Sequence, residues 1–226
     1  GAGPAGLFAA IRLVELGLRP VVLERGKEVR GRRRDVARLC RDGLVDADSN
    51  YCFGEGGAGT FSDGKLYSQI SDPRHLTRKV LQEFVKAGAP EEILYVSKPH
   101  IGTFRLVSMI EKMRAEIEAL GGEIRFDQRV ADLHIENGHL RGLVLASGEH
   151  IECDHAVLAL GHSARDTFEM LHQRHRCDVI HVEPGLLESG IYGFERIGVA
   201  PRPGLDEFAK WLIIKKWLEH RPEPVS

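Results

Sequence analysis

The sequence predicts an α/β protein with a Rossmann-like core into which an antiparallel β-meander is inserted. Three observations predict this class. A glycine motif opens the chain and leads into an amphipathic helical pattern followed by a short apolar strand. Residues 123–152 alternate between apolar and polar side chains, which is typical of antiparallel strands. Residues 156–161 form a second apolar run ending in glycine, which predicts a further buried parallel strand.

The first element is a G-x-G-x-x-G turn at Gly1, Gly3 and Gly6, and we call residues 1–6 the first glycine loop. Apolar residues repeat at helical spacing behind it, and Gly17 can end that helix because glycine readily takes the left-handed conformation. Residues 20–23 then predict a short buried strand, directly before Glu24. The motif is expected to follow a strand, and none precedes Gly1, so we expect the sheet to lack its first strand.

This arrangement favours binding of a dinucleotide. Gly1 permits a tight turn, Gly3 lets a pyrophosphate approach the backbone, and Gly6 lets the helix pack closely on the sheet. The unpaired N–H groups at the helix N-terminus attract phosphate. Glu24, at the end of the next strand, can accept hydrogen bonds from a ribose.

Residues 27–41 predict a helix rich in arginine. The segment is either a solvated helix face or a contact for phosphate or nucleic acid. The arginines are not interleaved with aromatic residues, which disfavours single-stranded nucleic acid. The chain has 31 basic and 33 acidic residues, and its net charge of −2 disfavours a dedicated nucleic-acid binder.

The second glycine loop, residues 54–60, has four glycines in six positions and cannot be the interior of a helix or strand. Its backbone N–H groups can face a ligand, and Thr60 and Lys65 supply donors beside it. Gly64 and Lys65 are followed by leucine, so a nucleotide-triphosphate P-loop is disfavoured.

The remaining elements follow from local patterns. Asn137 and Gly138 predict a type I′ hairpin turn, because both residue types tolerate positive φ. We expect helices at 74–88, 104–120 and 164–172, and strands at 123–126, 130–135, 140–146, 150–152 and 156–161.

Composition bounds the class of protein. With 42% hydrophobic and 28% charged residues, the chain is ordinary for a globular protein. Its four cysteines are scattered, which favours a reducing, cytoplasmic location and gives no metal-ligand spacing. We expect one domain at 1–172 and a tail at 173–226 with an amphipathic helix near 205–220. That helix can bind a membrane surface, pack on the domain or enter a partner's groove.

The order of motifs resembles the glutathione-reductase-like flavoproteins with two dinucleotide-binding domains, and more closely a group of FAD-dependent dehydrogenases. The resemblance covers about residues 1–172. It is carried by the first glycine loop with Glu24, the Gly56–Gly57 doublet, the meander after Arg129 and Val130, and by four near-identical stretches at 50–60, 62–66, 99–103 and 161–166.

The resemblance implies bound FAD and an oxidoreductase that moves a hydride through the flavin, with NAD(P)H as a possible electron donor and a small-molecule substrate. Members of the group are longer than this chain, so we expect a fragment. Lys65 and Arg165 are the candidate catalytic residues, as positive charges beside a reduced flavin. The implied FAD contacts are Gly1, Gly3, Pro4, Ala5, Gly6, Glu24, Arg25, Gly56, Gly57, Ala58, Gly59, Thr60, Val130, Ala159 and Gly161.

Two other classes of function stay open. The first 24 residues fit NAD as well as FAD, which keeps an NAD-linked dehydrogenase as an alternative. A non-catalytic remnant or interaction module is the other, with the arginine-rich helix or the tail helix as its binding surface. The chain has no Cys-x4-Cys pair, which disfavours a disulfide reductase.

Overall fold

The computed structural model describes residues 1–66, 72, 75–175, 179–181 and 195–197. The chain divides into two compact units at Gly161 and His162. The predicted tail helix near 205–220 lies outside the described residues.

The helices of the first unit are α1 (Pro4–Glu15), α2 (Val29–Asp42), α3 (Leu76–Lys86) and α4 (Thr103–Ala119), with a short 3-10 helix at Glu91–Leu94. Its strands are β1 (Val21–Leu23), β2 (Glu123–Arg125), β3 (Val130–Glu136), β4 (His139–Leu145) and β5 (His150–Glu152).

The second unit contains one helix and one strand pair among its described residues. Helix α5 (Arg165–His175) is followed by β6 (Val179–His181) and β7 (Glu195–Ile197), which pair antiparallel. The predicted domain boundary at residue 172 falls within α5 and stays a prediction. Nowhere in the described parts of either unit is a helix long and apolar enough to cross a membrane.

Helix α1 begins and ends as its sequence predicts. Pro4 occupies the first turn, where its missing N–H removes no helical hydrogen bond, and Gly3 precedes it in an extended conformation. Gly17 follows the helix with a φ of 78°, the left-handed conformation expected of a glycine at a helix end. The predicted apolar face is confirmed, because Leu7, Ala10, Ile11 and Val14 are all buried.

The core of the first unit lies between α1, α3 and α4. Leu7 of α1 and Met113 and Ile117 of α4 are all but fully buried. The rings of Phe8 and Phe84 meet edge to face, with centroids 5.3 Å apart, and join α1 to α3. Burial of each such side chain contributes about 1.5–3 kcal/mol, so this packing fixes the helix that carries the first glycine loop.

Strands β1 and β2 form a parallel pair, in which Val22 lies opposite Ile124. Glu24 continues the pairing, since its N–H donates to the Arg125 carbonyl oxygen over 2.9 Å. The prediction that residues 123–126 belong to the antiparallel meander is therefore wrong. The chain reaches β2 through helix α4, and a helical crossover returns a strand in the parallel direction.

Strands β3, β4 and β5 form the antiparallel meander, in the order β3–β4–β5. The predicted turn between the first two is confirmed. Asn137 has a φ of 51° and Gly138 a φ of 76°, as a type I′ turn requires, and Glu136 pairs with His139 across it.

The predicted strand at residues 156–161 is absent, since this segment forms no strand with any described part of the chain. Val157 is 42% exposed, so the run is not buried either. A strand needs a neighbour to pair with its N–H and C=O groups. No described segment supplies that neighbour beside residues 156–161. The apolar composition of this run alone cannot make it a strand.

Candidate functional site

The two glycine loops pack against one another. The N–H of Gly56 donates to the carbonyl oxygen of Ala2 over 2.8 Å. A Cβ atom on Gly57, which has a φ of 69°, would lie 2.9 Å from Cδ of Pro4 and 3.1 Å from Cα of Gly3. The backbones therefore approach more closely than side chains would allow, and the predicted loops form one surface.

The first glycine loop is itself closed tightly. A Cβ on Gly6 would lie 1.8 Å from the carbonyl oxygen of Gly1, inside any permitted contact. A Cβ on Gly1 would in turn lie 2.5 Å from the carbonyl oxygen of Ala159. Gly3 differs, because its Cβ would meet only Gly57 at an ordinary 3.7 Å. A Cβ at Gly3 would thus clash with nothing and would lie beside Gly57, at the surface that the two loops share.

Glu24 joins both loops to the end of β1. One carboxylate oxygen, Oε2, accepts a hydrogen bond from the N–H of Ala2 over 2.7 Å. The other, Oε1, accepts from the N–H groups of Gly26 and Gly54, each over 2.9 Å. A carboxylate has about four acceptor sites, so three backbone bonds leave one for a ligand hydroxyl. Sequence reasoning identified Glu24 but not its bonds to the loops.

Several backbone N–H groups at this surface have no acceptor among the described residues. They belong to Ala5 and Gly6, in the first turn of α1, and to Ala58 and Gly59 of the second glycine loop. Ala5, Ala58 and Gly59 are exposed. Free N–H donors at the positive end of a helix dipole favour an anion such as a pyrophosphate.

A cleft of about 250 Å³ opens beside Glu24. The N–H of Gln128, which lines it, donates to the backbone oxygen of Glu24 over 2.9 Å. Arg25 is fixed at its wall, since Nε and Nη2 donate to Oδ1 of Asp48 over 2.8 and 2.6 Å and the guanidinium lies 4.2 Å from the Phe53 ring centroid. The residues that line the cleft are Arg25, Asp46, Asp48, Asp127, Gln128, Arg129, Leu145, Ala146 and Ser147.

Arg32 is a buried residue beneath the second glycine loop that the sequence analysis did not distinguish from the other arginines of α2. The other arginines of α2 are exposed, as a solvated helix face predicts, but Arg32 has no exposed surface. Burial lowers its pKa to about 10, which still leaves it charged at neutral pH. Its position was readable, because Val29 and Val36 lie three residues before and four after it, and all three are buried.

Glu55 is a second buried charged residue of the second glycine loop. Its Oε2 accepts from the N–H of Val29 at the start of α2 over 2.7 Å and lies 3.4 Å from Nη1 of Arg114. No polar atom of the described residues bonds its Oε1. Burial raises the pKa of Glu55 above its ordinary value, because desolvation disfavours the charged form.

The remaining predicted cofactor residues lie around this surface. Thr60 is buried at the end of the second loop, where its Oγ1 donates to the Gly57 carbonyl oxygen over 3.1 Å. Val130 lies in β3 opposite Leu145, which lines the cleft. Ala159 contacts Gly1 through its backbone, and Gly161 has a φ of 70°.

The two candidate catalytic residues belong to different compact units. Lys65 is exposed, and its Nζ pairs with Oδ2 of Asp63 over 3.1 Å on the surface. Arg165 begins α5 in the second unit and is exposed. Their catalytic role stays a prediction.

One relative resembles the chain closely over part of its length. An uncharacterized protein of Clostridium beijerinckii is 47% identical over 173 residues, which make up 76% of this chain and 32% of that protein. The chain therefore spans about a third of the relative's length. No protein-family model matches the chain.

Solved structures show the fold. THI4 from Thermovibrio ammonificans superposes with a TM-score of 0.51 at 17% identity, over 79% of this chain and 62% of THI4. An L-amino acid deaminase from Proteus vulgaris reaches a TM-score of 0.41 at 18% identity, over 80% of this chain and 50% of the deaminase, a score too low to support an inference. The chain has a Rossmann-like α/β fold, with an antiparallel three-stranded sheet inserted.

Proposed function

We propose that this chain binds FAD and forms the cofactor-binding part of an oxidoreductase that moves a hydride through the flavin. The observation that carries the proposal is that the carboxylate of Glu24 accepts hydrogen bonds from both glycine loops, from Ala2 in the first and from Gly54 in the second. A dinucleotide needs a glycine turn at a helix N-terminus and an acid at the end of the next strand. Here both features share one surface with a second loop that has free N–H donors.

The residues present fit the parts of FAD. The N–H groups of Ala5 and Gly6 would hold the pyrophosphate, with Gly3 leaving room for it. The open acceptor site of Glu24 would take a ribose hydroxyl. The cleft bounded by Arg25 and Gln128 is the proposed place of the adenosine group, because it lies at the residues that directly follow Glu24 and pair with its backbone.

The second glycine loop would hold the part of FAD beyond the pyrophosphate. Ala58 and Gly59 offer exposed N–H donors there. When bound, FAD supplies hydride exchange between an organic donor and an acceptor. The chain's own residues bind and orient it, and Lys65 and Arg165 are proposed as the positive charges that stabilise its reduced form. NAD(P)H is the proposed electron donor, and a small organic molecule the proposed substrate.

The first test is the absorption spectrum of the purified 226-residue chain, before and after incubation with FAD and desalting. We expect a retained flavin band. Titration calorimetry with FAD and NAD⁺ then separates the two cofactors, because an NAD-linked dehydrogenase would bind NAD⁺ and release FAD. A chain that is folded by circular dichroism yet binds neither would instead support the interaction module.

Substitutions at two glycines, Gly3 and Gly31, test whether the first glycine loop binds FAD. Gly3→Val should weaken FAD binding by about tenfold or more, an effect of at least 1.4 kcal/mol, because the side chain enters the ligand's space. Gly31→Ala lies on α2, where the nearest atoms to its Cβ would be Oε1 of Glu28 and Cβ of Lys27, each at 3.3 Å, and is the matched control. Unchanged FAD affinity in Gly3→Val, with circular dichroism as in the parent, would refute the site.

A further inference from the structure

We propose that Arg32 is a positioning residue that holds the second glycine loop in its dinucleotide-binding shape. The inference rests on the proposed function for its ligand, while its structural claim concerns the loop itself. Arg32 comes from α2 and lies beneath the loop without any exposed surface.

The guanidinium of Arg32 donates hydrogen bonds to backbone carbonyl oxygens of the loop and of the segment before it. Nη1 donates to the oxygens of Glu55 and Gly57, each over 2.7 Å. Nε donates to the oxygen of Asn50 over 2.8 Å, and Nη2 to that of Tyr51 over 2.9 Å. One side chain therefore donates to four backbone carbonyl groups between residues 50 and 57, and those of Glu55 and Gly57 also accept from Thr60.

These bonds determine where the loop's N–H groups point. A peptide unit is planar and trans, so its C=O and N–H point in opposite directions. Because the Gly57 carbonyl faces Arg32, the N–H of Ala58 in the same peptide unit faces away from it. That N–H has no acceptor in the described structure, and Ala58 is exposed. Arg32 thus presents a free donor on the ligand side by binding the carbonyl on the protein side.

Lysine cannot replace the guanidinium in this role. Its donors radiate from one nitrogen, whereas the four carbonyls are reached by three separate nitrogens of a planar fork. The stem of Arg32 is also tightly confined, since a Cβ on Gly54 would lie 2.4 Å from its Cδ. Glu24 and Glu55 act on the Arg32 guanidinium through space, and its direct hydrogen bonds go to backbone oxygens, so the guanidinium places positive charge beneath the loop. That charge would favour an anionic ligand above it.

The test combines two substitutions at Arg32 with two readouts. Arg32→Lys and Arg32→Ala are compared with Arg34→Lys and Arg34→Ala, which alter an exposed arginine of the same helix. Hydrogen exchange followed by mass spectrometry measures the amides of residues 50–60, α1 and α4. Calorimetry measures the affinities for FAD and for AMP, which lacks the pyrophosphate and the flavin.

Arg32→Lys should accelerate exchange in residues 54–60 by about tenfold or more and leave α1 and α4 unchanged. FAD affinity should fall by about tenfold and AMP affinity by less than about threefold, because AMP would occupy only the cleft proposed for the adenosine group and would not reach the second glycine loop. In Arg32→Ala, millimolar ethylguanidinium should restore slow exchange. Ethylurea, which has nearly the same shape without the charge, should not.

Three results would overturn the proposal. They are exchange in residues 54–60 equal to that of the Arg34 variants, an equal rise in exchange throughout the first unit, and equal rescue by ethylurea. If Arg32→Ala fails to fold, Arg32→Lys decides alone. If the parent chain binds no FAD, the proposed function fails, and the exchange measurements still decide the role of Arg32.

Discussion

The Oε1 atom of Glu24 accepts a hydrogen bond from the N–H of Gly54, which lies thirty residues further along the chain, over 2.9 Å. Both residues are buried. The bond ties the end of β1 to the start of the second glycine loop. A residue expected to serve only a ligand is therefore also a structural link between the two halves of the site.

Glu24→Gln should lower the free energy of unfolding by about 2–3 kcal/mol. The amide group places an NH2 donor against the N–H of Ala2, or against those of Gly26 and Gly54, and leaves buried donors unsatisfied. Urea unfolding measures the change. Glu149→Gln, at an exposed ion pair with Arg125, is the control and should stay within about 0.5 kcal/mol of the parent. Equal effects in the two variants would contradict the assigned bonds.

Gly6→Ala should destabilise the first unit by at least about 2 kcal/mol, because its Cβ would overlap the Gly1 carbonyl oxygen. Gly59→Ala is the matched control, since its Cβ would meet nothing within 4 Å and its φ is not in the left-handed region. The midpoint of thermal unfolding compares the two. A Gly6→Ala protein as stable as Gly59→Ala would show that the first glycine loop is not closed in this way.

Gly138→Ala should cost about 1 kcal/mol of stability, because alanine is strained at a φ of 76° although the space around it is open. Asn137→Gly should be nearly neutral, since glycine also accepts positive φ. Both are measured by urea unfolding. FAD affinity should be unchanged in both variants, and a loss in either would mean that the hairpin tip takes part in binding.

Glu55 should make the folded state less stable as pH rises. Its pKa is raised by burial, so the folded protein holds this proton more firmly than the unfolded chain does. The contribution of Glu55 is fully present below its ordinary pKa of 4.5 and is lost as pH rises through the folded value. Glu55→Gln removes this dependence.

The comparison is the free energy of unfolding of parent and Glu55→Gln from pH 4.5 to 8. Their difference should shift in favour of the glutamine variant as pH rises, because the variant does not ionise. Other titrating groups cancel in the difference. A constant difference across this range would show that Glu55 is ionised without penalty in the folded protein.

The parts of the fold set by short-range pattern could be predicted from the sequence. Helix α1 and the Asn137–Gly138 turn depend on spacing and on residues that accept particular φ values, and both are where the pattern places them. Residues 156–161 show the opposite case. Their apolar run fits a strand, but pairing depends on a neighbour that no local pattern reveals.

The site divides in the same way. The glycines and Glu24 were visible as a motif, whereas the contact between Gly57 and Pro4 depends on how distant segments pack. The burial of Arg32 could not be predicted from composition, since the helix contains several other arginines and all of them are exposed. Only its spacing of three and four residues from Val29 and Val36 places Arg32 on the buried face of the helix. That pattern extends over a single helical turn on either side.

The hairpin of β3 and β4 ends in six consecutive exposed residues, 134–139. Extra residues inserted there would leave the ladder below the tip and the buried Leu145 in place. Length differences among related genes should therefore accumulate at this tip. The same position offers the experimenter an attachment point for a fluorophore or an affinity tag that leaves both glycine loops untouched.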